Sequence, residues 1–290
     1  MTGSLSVVVP THGRPAALAR LLASILPFDV PTDGPEVVVV DDGSPPHTYD
    51  AVQADRPYVK WLSQPRSGPA TARNTGWRAS TGDVVVFVDD DCVLAAGTLP
   101  RLQKALAEVD AAGASIEPLH RGQLVADFMH AEHLVTHKVA GGQVRWLVTA
   151  CLAVRRAALE SVGGFDERLV TAGGEDVDLS LRLKAAGFRL GVAEDAVAFH
   201  DHRASLALLV RTYYRHGTGQ RLLAAHHPER RADLAQSTRS RLSAAAWAGT
   251  YRSYRRHEGR ATSAAFIGLR VAMMSPWLIG AWRGPKGGVR

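Results

Sequence analysis

Short apolar runs alternate with helical patterns along the first hundred residues. The run "LSVVVP" at 5–10 is followed by a segment, 15–26, in which leucine and isoleucine recur at i, i+3, i+4 and i+7. Further apolar runs follow at 36–44, 58–62 and 83–91, with a second helical pattern at 69–79. Runs this apolar are typical of strands that helices cover on both faces. The pattern therefore predicts βαβ units and an α/β fold with a largely parallel sheet.

The pattern changes after residue 97. It predicts a helix over 98–111, a strand over 113–118, one or two strands running into a short helix over 144–156, a helix over 175–186 and two short strands within 188–202. From residue 204 onward it is helical and rich in arginine. We therefore predict a catalytic domain over 1–202, with halves 1–115 and 116–202, and a basic helical region over 203–290.

Polar clusters stand where three predicted strands end. They are "PTHGR" at 10–14, "DDGS" at 41–44 and "DDDC" at 89–92. In sheets of this kind, ligands bind in the crevice beyond the carboxyl ends of the strands. The three clusters are therefore expected to form one ligand site.

The charge of the chain is distributed unevenly. Of 34 Lys+Arg and 28 Asp+Glu, residues 1–202 hold 18 and 25, a net charge of −7, so residues 203–290 hold 16 and 3, a net charge of +13. Such a basic block indicates an anionic partner. Membrane headgroups or a polyphosphate substrate are favoured over nucleic acid, which we do not expect to bind.

Cysteines and the N-terminus bear on the compartment. The two cysteines, Cys92 and Cys151, form no C-x-x-C or Cys/His spacing and are too few for a disulfide framework. The six-residue apolar run near the N-terminus reads as a strand rather than as the core of a signal peptide. We therefore expect a cytoplasmic protein.

The acidic run at 89–91 is the most specific chemical feature. On a strand, Asp89 and Asp91 would share one side and Asp90 would take the other. An Asp-x-Asp pair at a strand end can hold Mn²⁺ or Mg²⁺ through its oxygens, and the cation removes the repulsion between the carboxylates. A solvated acidic turn is the alternative.

Asp42, in the cluster "DDGS", can accept a hydrogen bond from a base or a ribose, although Asp-Gly is also an ordinary turn.

Five segments together resemble the family 2 glycosyltransferases, the inverting enzymes with the GT-A fold. They are "LSVVVPTHGRPAALARLLASI", "EVVVVDDGS", "GPATARNTGWRASTGDVVVFVDDD", "VGGFDERL" and "GGEDVDLSLRLKAAGFRL", in the order and spacing of that family, and they cover about 4–202. The resemblance implies a Rossmann-like, mostly parallel central sheet flanked by helices, here with a basic helical C-terminal extension. It also implies a glycosyltransferase of the hexosyltransferase type.

The same resemblance implies roles for individual residues. Those expected to bind the donor nucleotide are Pro10, Thr11, His12, Arg14, Asp42, Arg73, Asp89 and Asp90. Asp91, with Asp89 and His200, would hold Mn²⁺ or Mg²⁺, and His202 is the second candidate for the histidine ligand. Asp176 would be the general base, with Glu175 raising its proton affinity. The alternative for Arg73 is a charged side chain on the surface of a helix. The alternative for His200 and His202 is that they lie at a strand end without binding a ligand.

The expected reaction transfers a sugar from a nucleotide diphosphate sugar of the UDP, GDP or dTDP type to an acceptor hydroxyl. The acceptor would be a small molecule, peptide-derived or lipid-linked. Two alternatives remain open: a nucleotidyltransferase, and a nucleotide- or membrane-binding module on an inactive transferase fold. The apolar stretch 266–282 is equally compatible with peripheral contact at the inner face of a membrane and with packing on protein.

Overall fold

The computed structural model describes residues 3–25, 34–132, 134–170, 173–202, 205–228, 254 and 260–283. These residues fall into two compact units. The first comprises Met1–Leu119, Val135–Val170 and Glu175–Asp201, and the second comprises His120–Leu134, Thr171–Gly174 and His202–Arg290. The predicted domain boundaries stay a prediction, and segment 120–134, which they assign to the catalytic domain, belongs to the second unit here.

The secondary structure follows the apolar pattern of the chain. The strands are β1 (Leu5–Thr11), β2 (Glu36–Asp42), β3 (Lys60–Gln64), β4 (Val84–Val88), β5 (Cys92–Leu94), β6 (Ala111–Pro118), β7 (Lys138–Ala140), β8 (Gln143–Trp146), β9 (Cys151–Arg155) and β10 (Leu190–His200). The helices are α1 (Pro15–Ile25), α2 (Asp50–Asp55), α3 (Pro69–Ala79), α4 (Thr98–Ala105), α5 (Leu124–Ala131), α6 (Arg156–Val162), α7 (Glu175–Ala185), α8 (Leu206–His226) and α9 (Arg260–Arg283). Helices α5, α8 and α9 belong to the second unit.

The first unit is built on an eight-stranded sheet with the order β3-β2-β1-β4-β9-β6-β10-β5. Strands β3, β2, β1 and β4 run parallel, as do β6 and β10. Strand β9 is antiparallel to both β4 and β6, and β5 is antiparallel to β10. The predicted α/β class with helices flanking the sheet is confirmed, and the antiparallel strands make the sheet mixed.

Helices cover both faces of this sheet. Because side chains alternate along a strand, Val7 and Val9 of β1 pack into a cluster with Leu21 and Leu22 of α1. Val8 points the other way, into a cluster with residues of α3. All five residues of β4 are buried. Burial on both faces explains why these strands read as unbroken valine runs.

Several predicted boundaries were wrong for local reasons. The strand predicted over 83–91 ends at Val88, because the chain turns there. The helix predicted over 98–111 ends at Ala105, because the chain turns there, with the amide of Glu108 donating to the carbonyl oxygen of Ala105, before strand β6 begins at Ala111. The two strands predicted within 188–202 are one strand, β10, whose register shifts between Ala193 and Val197.

Helix α3 lies unusually close to the sheet. A Cβ atom on Gly76 would stand 2.3 Å from Val8 Cγ1 and 3.1 Å from Val40 Cγ2. Real Cβ atoms do not approach other carbons that closely, so only glycine fits between this helix and β1 and β2. This contact fixes the position of Arg73, one turn earlier on the same helix.

The second unit is a helical cluster around an apolar core. Phe128 of α5, Leu209 and Tyr213 of α8, and Phe266 of α9 belong to that core. The carboxylate of Glu132 accepts hydrogen bonds from Tyr213 (3.2 Å), from Tyr254 and from Arg270 Nη1 (2.6 Å). Among the described residues, one helical stretch, Ala261–Ile279, is long and apolar enough to cross a membrane by length and composition.

Candidate active site

The three polar clusters meet at the carboxyl edge of the parallel strands, as the sequence predicts. Thr11, at the end of β1, is paired in register with Asp41 of β2. Its hydroxyl donates to Asp90 Oδ2 over 2.7 Å, which joins the first cluster to the third. His12 Nδ1 lies 3.0 Å from the carbonyl oxygen of Asp42, which joins the first to the second. Pro10 is half-buried beside them.

The acidic run at 89–91 lies in a turn rather than in a strand. Strand β4 ends at Val88, and the amide of Cys92 donates to the carbonyl oxygen of Asp89 over 3.0 Å before β5 begins. As a result, Asp90 and Asp91 both accept from Arg14 Nη1, at 2.7 and 2.6 Å, while Asp89 accepts from Arg73 Nη2 at 2.7 Å. The prediction that strand alternation places Asp89 with Asp91 is therefore wrong. Their roles as metal and nucleotide ligands stay predictions.

Asp90 is the most buried of the three carboxylates, with 3% of its surface exposed. Burial, and then the negative charge of Asp91, raise its pKa to about 6 against the opposing effect of Arg14. Thr11 and Arg14 each occupy one of its oxygens. A buried hydroxyl and a partly exposed guanidinium therefore hold Asp90 in place in the floor of the site.

Asp91 and His200 form the candidate cation site. Cys92 pairs with His200 across strands β5 and β10. This pairing brings His200 Nε2 to 3.3 Å from Asp91 Oδ1. Potential ligand atoms of Asp91, Cys92 and His200 lie within 4.8 Å of one another, and among the described residues this is the one such group.

The chemistry of this group favours oxygen and nitrogen ligands. Burial raises the pKa of the Cys92 thiol well above its usual range, and Sγ donates to the carbonyl oxygen of Ala150 over 3.3 Å. The thiol is engaged in this hydrogen bond, and Mn²⁺ and Mg²⁺ prefer oxygen and nitrogen ligands to sulfur, which leaves Asp91 and His200 as the candidate ligands. A carboxylate, an imidazole and open positions for phosphate oxygens and water suit Mn²⁺ or Mg²⁺. Asp89, held by Arg73, is not part of this group.

Arg73 is buried between two carboxylates. It donates through Nη2 to Asp89 Oδ1 (2.7 Å) and through Nη1 to Glu175 Oε1 (3.0 Å), and 5% of its side chain is exposed. Its pKa is raised, because the attraction of Asp89 and Glu175 outweighs the opposing effect of burial. The surface-charge alternative for Arg73 is therefore wrong. A contact with the donor nucleotide stays a prediction.

Asp42 holds the loop between β3 and α3. Its Oδ1 accepts from Gln64 Nε2 (2.8 Å) and from the amide of Ser67 (2.7 Å), and its Oδ2 accepts from the amide of Gly68 (2.9 Å). A carboxylate offers about four acceptor positions. Asp42 therefore retains capacity for one further donor, such as the N–H of a base.

Asp176 and Glu175 stand at the start of α7, as predicted. Glu175 is buried and holds Arg73, while Asp176 Oδ1 accepts from the amide of Val177 over 2.8 Å. Burial, and then the charge of Glu175, raise the pKa of Asp176 to about 7. A carboxyl group with that pKa can take up and release a proton near neutral pH.

Sequence reasoning missed two supporting residues. The Tyr49 hydroxyl lies 2.8 Å from Thr11 Oγ1 and accepts from the amide of Arg14 over 3.2 Å. Arg66 contacts His12 Nε2. Neither residue lies in a recognisable motif, so only the folded chain brings them to the site. His202, the second candidate for the metal, is buried and belongs to the second unit.

Comparison with known proteins places this arrangement in context. The family model described as glycosyl transferase family 2 matches residues 6–163. The pre-mycofactocin glycosyltransferase of Mycobacterium tuberculosis (strain ATCC 25618 / H37Rv) is 32% identical over 242 residues, which cover 79% of this chain and 49% of that protein. The succinoglycan biosynthesis protein ExoM of Rhizobium meliloti (strain 1021) is 31% identical over 234 residues, 76% of this chain and 75% of that one. The chain thus spans about half the length of the mycobacterial relative.

Solved structures share the fold at low identity. The mannosyltransferase PcManGT from Pyrobaculum calidifontis, in complex with GDP-Man and Mn²⁺, matches with a TM-score of 0.67 and 20% identity over 98% of this chain and 88% of that one. S. aureus TarS 1-349 matches with a TM-score of 0.56 and 19% identity over 96% of this chain and 89% of that one. These likenesses establish the GT-A fold of the chain.

Proposed function

We propose, from the premise that this chain belongs to glycosyl transferase family 2, that it transfers a sugar from a nucleotide diphosphate sugar to an acceptor hydroxyl with inversion. The observation that carries the proposal is that Arg73 connects the acidic turn at 89–91 with the acidic pair Glu175 and Asp176. A carboxyl group with a pKa of about 7, Asp176, follows Glu175, and Arg73 joins Glu175 to the acidic turn. Donor-binding and proton-accepting groups thus belong to one connected network.

The donor end of the site is suited to a diphosphate. Asp91 and His200 would hold Mn²⁺ or Mg²⁺, and the bound cation would supply Lewis-acid stabilisation of the leaving diphosphate. Asp42 would accept the base N–H, and Thr11, His12 and Arg14 line the same edge. Asp90 stays a predicted contact of the donor nucleotide, and Asp89 stays a predicted second metal ligand. A cation at Asp89 would have to share that carboxylate with Arg73.

The acceptor end is organised around Asp176. Its carboxylate would take the proton of the acceptor hydroxyl while that oxygen attacks the anomeric carbon. The bond from the anomeric carbon to the diphosphate oxygen breaks as the new bond forms on the opposite face, which inverts the configuration. Burial, and then the charge of Glu175, keep the proton affinity of Asp176 high enough for this transfer near neutral pH.

The family relationship supports a nucleotide sugar donor and leaves its base, sugar and acceptor to experiment. The solved neighbours include complexes with GDP-Man and with UDP and GalNAc. A thermal-shift screen of UDP, GDP and dTDP with Mn²⁺ would identify the base, because a ligand that binds the folded state raises the melting temperature. Release of a nucleoside diphosphate supports the proposal, and release of pyrophosphate would instead indicate a nucleotidyltransferase.

We also propose that α9 contacts an anionic membrane surface on the cytoplasmic side. Phe266, Met273 and Trp277 face the core of the second unit. Yet Val271, Leu278, Ile279 and Trp282, which recur at i, i+7, i+8 and i+11, are between 41% and 75% exposed. A helix that is apolar on both faces is unusual for a water-facing position. The net charge of +13 over 203–290 would add attraction to anionic headgroups.

The substitution Asp176→Asn tests the assignment of the base. It keeps the size of the side chain and removes its basicity, so we expect the rate of transfer to fall by about 100- to 10,000-fold, the usual contribution of a general base. Nucleotide diphosphate affinity, measured by calorimetry, should not change. The matched control is Asp195→Asn, at a 69% exposed side chain on β10, which should transfer at the unmodified rate. Full activity of Asp176→Asn would place the base elsewhere.

A further inference from the structure

We propose that Arg14 is a built-in counter-ion. Before the metal binds, it occupies Asp91, the carboxylate of the cation site, together with the neighbouring Asp90, and thereby weakens metal binding until a diphosphate arrives. The inference rests on the metal-dependent transfer proposed above. It assigns to Arg14 control over metal affinity, in addition to the predicted contact with the nucleotide.

The contacts of Arg14 place its charge at the cation site. Its Nη1 lies 2.7 Å from Asp90 Oδ1 and 2.6 Å from Asp91 Oδ2. The other oxygen of Asp91 lies 3.3 Å from His200 Nε2. A cation that uses Asp91 therefore competes with Arg14 for the same carboxylate, and the two positive charges would repel each other at this distance.

The positive charge of Arg14 offsets the repulsion between the adjacent carboxylates of Asp90 and Asp91. The side chains of Asp90 and Asp91 are 4% and 14% exposed, so water screens their repulsion only weakly. The guanidinium of Arg14 satisfies both with one nitrogen. Without a cation, this contact keeps the acidic turn in a single conformation.

Arg14 is also the arginine that can leave. Its side chain is 35% exposed, whereas that of Arg73, at the other end of the turn, is 5% exposed between two carboxylates. The backbone amide of Arg14 is fixed by the Tyr49 hydroxyl. The side chain can therefore move to a new partner while the backbone stays in place.

The arriving donor provides that partner. A guanidinium binds phosphate oxygens through paired, charge-assisted hydrogen bonds, at least as well as it binds carboxylates. When a cation takes Asp91, Arg14 can transfer its hydrogen bonds to the diphosphate, and the charge of the site stays balanced. Metal and diphosphate are then expected to bind together much more tightly than either binds alone.

The test measures Mn²⁺ affinity of the full chain directly, from the electron paramagnetic resonance signal of free Mn²⁺. Without nucleotide, Arg14→Gln should bind Mn²⁺ about fivefold or more tightly than the unmodified chain, because one repelling charge is gone. With UDP, GDP or dTDP present, whichever binds, the unmodified chain should gain affinity for Mn²⁺ and Arg14→Gln should gain much less. Arg14→Lys should behave like the unmodified chain.

The matched control is Arg20→Gln. This substitution also removes one positive charge, that of Arg20, whose Nη2 lies 3.0 Å from Asp201 Oδ2. Asp201 follows His200 directly in the chain. We expect its Mn²⁺ affinity to stay within about twofold of the unmodified chain, since this exposed pair lies outside the carboxylates that hold the cation. Thermal melting of each variant checks that it is folded.

The remaining outcomes separate this inference from the function on which it rests. Equal or weaker Mn²⁺ binding by folded Arg14→Gln, with binding by the unmodified chain intact, would overturn the role of Arg14 and leave the metal site standing. A chain that binds Mn²⁺ in no variant, with or without nucleotide, would overturn the proposed metal site itself.

Discussion

Asp176 combines two properties that oppose each other, because a half-buried carboxyl group close to another acid is costly to ionise. Burial and Glu175 raise its pKa to about 7. The group is ionised in about half of the molecules at that pH, which is suitable for a base and unfavourable for stability. This cost of ionisation is the physical reason for proposing Asp176 as the base.

The pH dependence of transfer should follow from this pKa. The base must be ionised, so we expect kcat/KM to rise across pH 6 to 8, with an apparent pKa near 7. In Glu175→Gln the neighbouring negative charge is gone, so the pKa of Asp176 falls and the rise should move to lower pH. Initial rates measured across this range give both profiles. A profile with no rise between pH 6 and 8 would contradict the assignment of Asp176.

Stability should vary in the opposite direction. The folded pKa of Asp176 lies above the value of about 3.9 for an unfolded chain, so between these values the folded state binds more protons. Its contribution to the free energy of unfolding is therefore lost as pH rises through the folded pKa. The melting temperature of Asp176→Asn, relative to that of the unmodified chain, should increase from pH 5 to pH 8.

At the scale of elements, the close approach of α3 to the sheet determines where Arg73 stands. We expect Gly76→Ala to destabilise the fold by about 1–3 kcal/mol, because its Cβ would overlap Val8. Helix α3 would have to move away from β1, so transfer should fall as well. Denaturant unfolding and initial rates measure the two effects.

Gly268→Ala is the control for that change. It is the same substitution inside a helix, α9, but no atom lies within 4 Å of the added Cβ. Alanine there should be neutral or stabilise the helix by up to about 1 kcal/mol, since it restricts the unfolded chain. Equal effects of the two substitutions would mean that the contact of α3 with β1 and β2 is looser than the structure indicates.

Long apolar runs were the predictable elements of the fold. The runs that became β1, β2 and β4 are apolar throughout, because strands buried on both faces need apolar side chains at every position. The leucine pattern of α1 has the period of a helix with one buried face. Strand β5 and helix α2 are three and six residues long and carry no such pattern. They form because neighbouring elements pair or pack with them.

The residues of the site were predictable, while their arrangement was not. The motifs identify Asp89, Asp90 and Asp91, but alternation applies only to extended chain, and a turn redistributes these side chains between Arg14 and Arg73. Arg73 and Glu175 are 102 residues apart in the chain. No local pattern reports a contact over that separation.

At the scale of the whole molecule, the basic region should direct the chain to anionic surfaces. We expect the chain to sediment with vesicles that contain phosphatidylglycerol, to sediment less with neutral phosphatidylcholine vesicles, and to be released by salt. Leu278→Ser should reduce the bound fraction several-fold, because it removes apolar area from the exposed face of α9.

Leu124→Ser is the matched control for the vesicle experiment. The two leucines are similarly exposed, at 43% for Leu278 and 47% for Leu124, but Leu124 lies on α5. The control should bind like the unmodified chain. Absence of binding to phosphatidylglycerol vesicles, or equal loss in both variants, would contradict a membrane contact through α9. A chain that is dimeric in solution, and monomeric as Leu278→Ser, would assign the same face to a second copy.

The position of Arg73 predicts that donor and acceptor each change the affinity of the chain for the other. One guanidinium serves both Asp89, in the acidic turn, and Glu175, next to the proposed base Asp176. A donor that bound at Asp89, as proposed, would leave more of the Arg73 charge to Glu175 and would thereby change the surroundings of Asp176 that the acceptor meets. Linkage then requires reciprocity: the factor by which donor alters acceptor affinity equals the factor by which acceptor alters donor affinity. The Arg73 side chain would thus couple the binding of the donor to the binding of the acceptor.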